Sequence, residues 1–412
     1  MHRFPPSPRG LRPWALVALV VATGCARRPA PATDGADAVY MGSESCQACH
    51  VEIHARWRDT LMANVLQDPR ERPDVILGDF TLNDPLVTFT PDDVVFTYGS
   101  KWKQRYYTQI GDDYFIFPAQ WDVRNRQWRR YFPRPGGDWW TEHYPEDQMQ
   151  RPTGPLCDGC HSVNYDITAK TPTEWNVGCE KCHGPGSAHN LDPTDDNIVN
   201  PAHLDPVRAN DVCIQCHSQG QPHENPIEGV YYDWPVGFEP GDRLSEFWEL
   251  EGPDLGEETF THWPEGSAHK NRMQGNDYVQ SQMYVKGVTC YGCHDVHGTE
   301  HEADLIAPGN DVCLECHGPQ LQAGPRGSLA YHTQHEADGE GSLCVACHMP
   351  LTARTVGDVY VRSHTFKFIS PALTDRYGIP NPCTACHDDQ TTAWALDALA
   401  TWPQVSPWRV AP

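Results

Sequence analysis

The stretch Cys290-Tyr-Gly-Cys293-His294-Asp-Val-His297 decides how this chain is built. Its first five residues are Cys-x-x-Cys-His, the spacing that attaches a c-type haem. The two thiols add across the vinyl groups of the porphyrin, and the following histidine donates its imidazole to the iron. His297 lies too close in sequence to reach the far face of the same haem. We therefore expect His297 to bind the iron of a neighbouring haem.

The same pentapeptide occurs eight times and uses sixteen of the seventeen cysteines. The predicted thioether cysteines are Cys46 and Cys49, Cys157 and Cys160, Cys179 and Cys182, Cys213 and Cys216, Cys290 and Cys293, Cys313 and Cys316, Cys344 and Cys347, and Cys383 and Cys386. In the same order, motifs 1 to 8 end at His50, His161, His183, His217, His294, His317, His348 and His387. A zinc half-site or a redox dithiol does not require histidine directly after the second cysteine, whereas all eight copies have it. The sequence therefore predicts eight covalently bound haem c groups.

Each haem iron accepts a second axial ligand on its far face, and histidine is the main candidate. Twelve histidines lie outside the motifs and the N-terminal leader, which exceeds the eight that are needed. The preferred set of distal ligands is His143, His189, His262, His269, His297, His332, His335 and His364. Met62, in the segment after motif 1, competes for one site, and a methionine ligand would raise the potential of that haem.

Composition describes a loop-rich chain with little conventional core. Hydrophobic residues make up 39% of the 412 residues, and the chain contains 33 glycines and 37 prolines. Haems would supply the missing apolar volume, and thioether bonds would act as staples. The formal net charge of −24 disfavours nucleic acid as a partner and suits docking to cationic redox proteins.

The N-terminus is predicted to direct export. Residues 1–24 combine a basic start with a short apolar run, too short to span a bilayer, and read as a signal peptide. The run ends at Ala22-Thr23-Gly24-Cys25, which favours a lipoprotein in which Cys25 is acylated, although Ala22 stands where that pattern prefers leucine. A plain secretory signal remains the alternative. Residues 25–40, rich in alanine and proline, are predicted to be a flexible tether.

The predicted fold is mainly α and irregular, with low secondary structure and a small antiparallel β subdomain near the N-terminus. Residues 41–74 hold motif 1, and residues 75–150 read as five or six short strands that begin near Val75 and include residues 86–89. Residues 151–390 form a core with seven motifs, and residues 391–412 a C-terminal helix and tail. Asn210-Asp-Val before motif 4 recurs as Asn310-Asp-Val before motif 6, which indicates repeated haem modules.

Several segments resemble bacterial multihaem cytochromes of the cytochrome c554-like group. They are Val177 to His189, Cys344-Val-Ala-Cys347-His348-Met-Pro, Asn381-Pro-Cys383-Thr-Ala-Cys386-His387 and Gln280-Ser-Gln-Met-Tyr. The resemblance covers roughly residues 40 to 400 and implies an exported electron-transfer protein whose closely stacked haems mostly have two histidine ligands. It also implies distal roles for His189 and His297.

Two departures from the group matter. No histidine follows Trp57 where many relatives have one, so the first haem is Met-ligated, served from elsewhere or open. The tetratricopeptide repeats of some relatives are not found.

The leading hypothesis is an exported octahaem electron carrier of the periplasm or the outer-membrane or cell surface, with unknown redox partner proteins. The alternatives are a multihaem oxidoreductase that acts on a small nitrogen or sulfur compound at one open haem, or a subunit of an outer-membrane or extracellular conduit. The conduit would work with a porin or other cytochromes. All eight motifs end in histidine, which argues against the lysine-ligated catalytic haem of related enzymes.

Overall fold

Segments rich in β-branched and aromatic residues form one antiparallel sheet in the computed structural model of the protein. The structure describes residues 38–131, 152–223, 232–323 and 328–402. The six strands of the sheet are β1 (Leu66–Gln67), β2 (Phe96–Tyr98), β3 (Lys103–Ile110), β4 (Asp113–Ile116), β5 (Ala119–Asp122) and β6 (Gln127–Arg130). Their order is β1-β2-β3-β5-β6, and β4 pairs with the far end of β3.

Both faces of β3 are covered by protein. Successive side chains of a strand point to opposite faces, and Tyr106 and Tyr107 are both fully buried. Tyr106 lies in an aromatic core with Phe89 and Trp128. Tyr107 belongs to a second cluster that also contacts Cys157. One face of the sheet therefore closes a small core, and the other face lies against motif 2.

The remaining strands form three two-stranded antiparallel sheets. They pair β7 (Ser162–Val163) with β8 (Glu174–Trp175), β9 (Gly220–Pro222) with β10 (Trp248–Leu250), and β11 (Leu351–Val356) with β12 (Val359–Arg362). Each pair fixes a loop that leads into or away from a haem motif.

Eleven α-helices are described, and most are short. They are α1 (Val51–Trp57), α2 (Glu180–His183), α3 (Ser187–Leu191), α4 (Pro206–Ile214), α5 (Gln274–Tyr278), α6 (Gln282–Val285), α7 (Asp311–Ala323), α8 (Leu329–Thr333), α9 (Cys344–His348), α10 (Pro371–Tyr377) and α11 (Thr392–Ala400). Side-chain caps start several of them; in α4, the Asp205 carboxylate accepts from the N–H groups of Val207 and Arg208. Gly378, with φ of 72°, ends α10.

Single helical turns account for much of the rest. The 3₁₀ turns are Ser43–Cys46, Pro73–Val75, Phe80–Leu82, Pro91–Asp93, Pro201–His203, Leu244–Glu246, Cys290–Gly292, Glu302–Asp304 and Glu340–Ser342, and a π-helical turn spans Gly154–Asp158. This low content of regular structure agrees with the fold class that composition predicts.

Two of the predicted strands are absent from the described sheet. Val75 ends the turn that Pro73 begins, and residues 86–89 contribute side chains to the aromatic core without joining a ladder. Proline cannot donate to a ladder, and Pro85 and Pro91 flank the second segment, so apolar composition alone overstates its tendency to form a strand. The leader, Cys25, most of the tether, residues 132–150 of the β subdomain and the tail after residue 402 lie outside the described residues.

Among the described helices, none combines the length and the apolar character needed to cross a membrane.

Candidate haem-binding site

Each motif folds as one tight helical turn. In motifs 1 to 5 and in motif 8, the histidine N–H donates to the carbonyl of the first cysteine at 2.9–3.1 Å. Motifs 6 and 7 lie within α7 and α9. The turn holds the two cysteines and the histidine of a motif within one turn of backbone, as attachment to a single porphyrin requires. None of the sixteen motif cysteines is paired in a disulfide, so all are left for thioether bonds.

Four motif histidines face a second histidine across a fixed gap. His50 faces His189 with ring centroids 6.3 Å apart, and His183 faces His297 at 6.2 Å. The other two pairs, each at 6.2 Å, are His332 with His348 and His335 with His387.

These separations fit a haem iron held between two imidazoles. An imidazole–metal bond is about 2.0 Å and the ring centroid lies about 1.1 Å behind the bound nitrogen, so two rings in line across one iron are about 6.2 Å apart. The pairs therefore have the spacing of bis-histidine sites for the haems of motifs 1, 3, 7 and 8.

Hydrogen bonds orient the paired imidazoles through Nδ1. His297 Nδ1 lies 2.9 Å from Asp295 Oδ1, and His335 Nδ1 lies 2.6 Å from the Thr333 carbonyl. His189 Nδ1 contacts Asn197 Oδ1 at 3.1 Å, and His183 Nδ1 contacts the Val199 carbonyl at 2.7 Å. With Nδ1 engaged, Nε2 is the nitrogen left for a metal, the arrangement typical of histidine ligands.

The other predicted distal ligands lie in different surroundings. His364 is partly buried, and its pKa falls to about 4 because of desolvation first and then the nearby His294 of motif 5. His262 is fully buried with Nδ1 3.0 Å from Thr261 Oγ1, and the ring of His269 packs on Trp263 with centroids 3.8 Å apart and planes tilted by 45°. The distal assignments of His262, His269 and His364 stay predictions. His143 lies outside the described residues.

Met62 is not the side chain opposite motif 1, because His189 occupies that position. The Met62 carbonyl instead accepts a hydrogen bond from the Val177 N–H at 3.2 Å. This geometry favours a first haem whose second axial ligand is a histidine from elsewhere in the chain.

Three pairs of motifs share one contact, which we call the clamp. In each, the residue three positions before the first cysteine of one motif accepts the N–H of the first cysteine of another. The clamps are Ser43 Oγ to Cys179 N at 2.9 Å, Asn210 Oδ1 to Cys290 N at 2.9 Å, and Asn310 Oδ1 to Cys344 N at 2.7 Å. In all three, the first thiols of the two motifs are also in contact: Cys46 with Cys179, Cys213 with Cys290, and Cys313 with Cys344.

The clamp explains the Asn-Asp-Val repeat that the sequence shows. Asn210 and Asn310 each also donate to a carbonyl two residues before the clamped cysteine, at Val288 and Ser342. The repeated unit in space is thus motif 4 with motif 5, and motif 6 with motif 7. Motifs 3 and 4, which also follow one another along the chain, are joined by different contacts.

Further neighbouring thiols connect the clamped pairs into one series. In three further pairs, the two thiols lie close enough for the charge of one to affect the other. These pairs are Cys182 with Cys213, Cys293 with Cys316, and Cys347 with Cys386. Together with the clamps, these contacts place the motifs in the order 1-3-4-5-6-7-8. Motif 2 lies beside motif 4 through contact of Cys160 with Cys216.

Motif 2 departs from the bis-histidine pattern. The Tyr98 hydroxyl lies 2.8 Å from His161 Nε2, with the two rings edge to face at 4.8 Å. Burial lowers the pKa of His161 to about 3, and the charges of Arg272 and Arg105 contribute. Sequence reasoning missed Tyr98 because it weighed only histidine and methionine as groups opposite a motif histidine. Its position on β2, paired with Arg105 of β3, becomes visible only in the folded sheet.

His54 is a second residue that sequence reasoning missed. It lies one turn after motif 1 on α1 and is 2% exposed, and its buried Nε2 has no hydrogen-bond partner. Glu44 Oε1 is 3.8 Å from that nitrogen. A buried imidazole nitrogen without a hydrogen bond is costly, so His54 is a further candidate metal ligand. The amphipathic spacing after motif 1 is the signal that could have indicated its burial.

Two family patterns match parts of the chain that carry these motifs. The family described as doubled CXXCH motif matches residues 283–322, which include motifs 5 and 6. The family described as cytochrome c554 and c-prime matches residues 141–184, which include motifs 2 and 3.

Similar proteins cover more of the chain. Multiheme cytochrome MtrA of Shewanella baltica (strain OS185) is 29% identical over 168 residues, 37% of this chain and 47% of the relative. The chain thus matches about half the length of that curated relative. The crystal structure of the outer cell wall cytochrome OcwA superposes with a TM-score of 0.72 at 22% identity, over 88% of this chain and 86% of OcwA. An undecaheme S-layer cytochrome of Carboxydothermus ferrireducens gives a TM-score of 0.48 at 18% identity, over 90% of this chain and 62% of that one.

The OcwA superposition shows a multihaem cytochrome fold, and the family matches fall on motifs whose thiols and imidazoles have the local geometry for covalent haem. A haem also fits the gap between the four histidine pairs. The chain is a multihaem c-type cytochrome.

Proposed function

We propose that the protein is an exported octahaem cytochrome that transfers electrons along a series of closely packed, mostly bis-histidine haems. The observation that carries the proposal is the single series of neighbouring thiols, 1-3-4-5-6-7-8, in which four members have an imidazole pair at iron-binding distance. Thioether bonds hold a haem edge at its cysteines, so cysteines in contact bring neighbouring haem edges together.

The protein's part in this function is spacing, ligation and shielding. Haem iron supplies one-electron chemistry when bound. The clamps fix the start of one motif against another, and the distal histidines tie a loop of one motif to the haem of a different one. His297, which follows motif 5 in sequence and faces His183 of motif 3, is such a link. A ligand shared in this way holds the distance between two irons.

We propose the full ligand set as the sequence predicts it, with His54 added as a candidate. The proximal ligands are the eight motif histidines, and the distal set is His143, His189, His262, His269, His297, His332, His335 and His364. The His50–His189 pair supports a histidine ligand for the haem of motif 1.

The two ends of the series of motifs suit electron exchange with other proteins. Cys49 of motif 1 and Cys386 of motif 8 are exposed, as is Cys316 of motif 6. Haem edges attached there are accessible to a partner. The net charge of −24 favours cationic donors and acceptors. We further propose export to the periplasm or the cell surface with Cys25 lipidated, a placement consistent with the outer cell wall location in the name of OcwA.

A haem count and a redox titration test the proposal. The pyridine haemochrome assay on the purified protein should give eight haems per chain, and mass spectrometry should show eight haem additions to the mature chain. A count near six or below contradicts the proposal. Potentiometric titration should show one broad reduction curve made of overlapping one-electron steps, because the potentials of neighbouring haems depend on one another.

A kinetic test addresses the choice of redox partner. The reduced protein should pass electrons faster to a basic small cytochrome than to an acidic one, and the difference should fall at high ionic strength. Equal rates with both partners at low salt would contradict docking through the anionic surface.

A further inference from the structure

A buried carboxylate lies inside motif 3, between its two cysteines. The side chain of Glu180 is on the interior of the protein, with 2% of the residue exposed. Its Oε2 accepts the Gly42 N–H at 2.7 Å, its Oε1 accepts the Gly186 N–H at 2.7 Å, and the Met41 N–H reaches the two oxygens at 2.9 and 3.0 Å. Hydrogen bonds to a charged acceptor are stronger than neutral ones. Glu180 therefore ties two distant segments of the chain to motif 3.

The first of these segments leads into motif 1. Gly42, with φ of 83°, comes directly before the 3₁₀ turn Ser43–Cys46, which carries the first thioether cysteine. The N–H of Ser43 donates in turn to Glu174 Oε2 at 2.9 Å. Three successive N–H groups, those of residues 41–43, thus bind carboxylates that lie next to motif 3 in the chain. These bonds reinforce the clamp and fix the proximal side of the first haem.

The second segment carries the histidine that faces motif 1. Gly186 comes directly before α3, which presents His189 to His50 at 6.3 Å. The two segments also touch each other, since Ser187 Oγ accepts the Val39 N–H at 2.8 Å and the Ser187 N–H donates to the Val39 carbonyl at 3.2 Å. The proximal and distal sides of one haem site are therefore both held against a carboxylate that belongs to another motif.

We propose that Glu180 is a positioning residue for the haem of motif 1. It holds the segment before motif 1 and the start of α3 in one arrangement, and this arrangement keeps His189 on the iron that His50 binds. The inference rests on the haem attachment proposed above and names the residue that sets axial ligation at one end of the series. Glu180 acts through the backbone of Gly186 and through His189.

Glutamine is the most informative replacement, because it has the shape of glutamate but only one acceptor oxygen. When that oxygen accepts from Met41 and Gly42, the side-chain amide group points its own N–H groups at the Gly186 N–H. Two donors then face each other, so the start of α3 loses its hold. This orientation is favoured because one oxygen serves two donors.

The experiment uses electron paramagnetic resonance and the haem count of the purified full chain. Glu180→Gln should keep the native haem count and gain a high-spin signal from one haem. The fraction of that haem without His189 should rise about 10-fold or more, since a charge-assisted hydrogen bond is lost. Added imidazole should return the haem to low spin, because it fills the position that His189 leaves.

A double variant and a control locate the effect. His189→Ala should make one haem high-spin, and adding Glu180→Gln to it should make no second haem high-spin, because residues that act through one another are not additive. Glu315→Gln is the matched control: it removes the same charge from an exposed position inside motif 6, and it should leave the spectrum unchanged.

A spectrum of Glu180→Gln that stays as low-spin as that of the native protein, with only a lower melting temperature, would overturn the inference. Two high-spin haems in the double variant would also overturn it, because Glu180 would then act on a different haem. Either result, at eight haems per chain, leaves the proposed electron transfer standing, whereas a native count near six or below contradicts that function itself.

Hydrogen–deuterium exchange of the native protein covers the case in which Glu180→Gln does not mature. Peptides that contain Gly42 and Gly186 should exchange slowly, because both amides are bonded to a buried carboxylate. Exchange of the Gly186 amide at the rate of an unprotected amide would overturn the inference without any variant.

Discussion

Replacing His297 with alanine tests the cross-ligation between motifs. His297 follows motif 5, but its ring faces His183 of motif 3 at 6.2 Å with planes 20° apart. The variant should therefore alter the haem attached at Cys179 and Cys182 and leave the haem of motif 5 in its native ligation. The His297 side chain is 36% exposed, so water can enter the space that the imidazole leaves.

The size of the expected effect follows from the two bonds that the His297 imidazole makes, one to the haem iron and one to Asp295. One haem of the proposed eight loses its sixth ligand and becomes high-spin. The chain also loses the 2.9 Å hydrogen bond between His297 Nδ1 and Asp295, which keeps its 2.9 Å bond to Arg56. For a partly exposed pair this is worth about 1 kcal/mol or less. For a chain of this size we expect a fall in the melting temperature of about 1 °C and no loss of thioether-bound haem.

Electron paramagnetic resonance and the haem count make the assay. His297→Ala should gain one high-spin signal per chain relative to the native protein, at eight haems in both. His203→Ala replaces an exposed histidine outside the pairs and should leave the spectrum unchanged. His297→Met should restore six-coordination and raise one potential, by on the order of 0.1 V within the about 0.8 V that axial ligands span. An unchanged low-spin spectrum in His297→Ala would refute the ligand assignment.

Two further predictions concern packing and pH. Gly159→Ala should lower the free energy of unfolding by about 1–3 kcal/mol, because the added Cβ would lie 1.9 Å from Trp234. Gly292→Ala is the control: it lies at the same motif position, its added Cβ would have its nearest contact at 3.7 Å, and the protein should tolerate it. Equal denaturant midpoints for the two variants would contradict this packing. Burial raises the pKa of Asp277 from 3.8 to about 6, despite its bond to Ser363. The folded state thus binds the extra proton, and the carboxylate costs up to about 3 kcal/mol of stability as pH rises from 4 through 6. Urea unfolding at pH 4 and pH 7 should show Asp277→Asn gaining on the native protein at pH 7; the same difference at both values would contradict it.

Chemistry that is local in sequence was predictable. The Cys-x-x-Cys-His turn closes within five residues, and the geometry of each motif follows from its own backbone hydrogen bond. The chemical reason is that covalent haem attachment needs three side chains at fixed spacing, which sequence alone displays. The strands around Tyr106 were predictable for the same reason, since alternation of aromatic and polar residues is a local pattern.

Residues that are far apart in the sequence but meet in the fold were harder to predict. The sequence supplied more histidines than sites, and only folding showed that His189, His297, His332 and His335 face motif histidines. The phenol and cations beside His161 lie on β2, on β3 and before α5, which are far apart in the chain. No spacing rule joins residues that meet through sheet register, so this site had no sequence signal.

The clamp separates the placement of haems from the length of chain between them. Its two ends are 34 residues apart for Asn310 and Cys344, 80 for Asn210 and Cys290, and 136 for Ser43 and Cys179. The longest of these loops is four times the shortest, which is two doublings of length. Two doublings raise the entropic cost of closing the loop by only about 1.2 kcal/mol. Evolution can therefore insert whole subdomains between clamped motifs without moving the irons. The six-stranded sheet, which lies between Ser43 and Cys179, has the position of such an insertion, and it brings Tyr98 to a haem that the clamps do not hold.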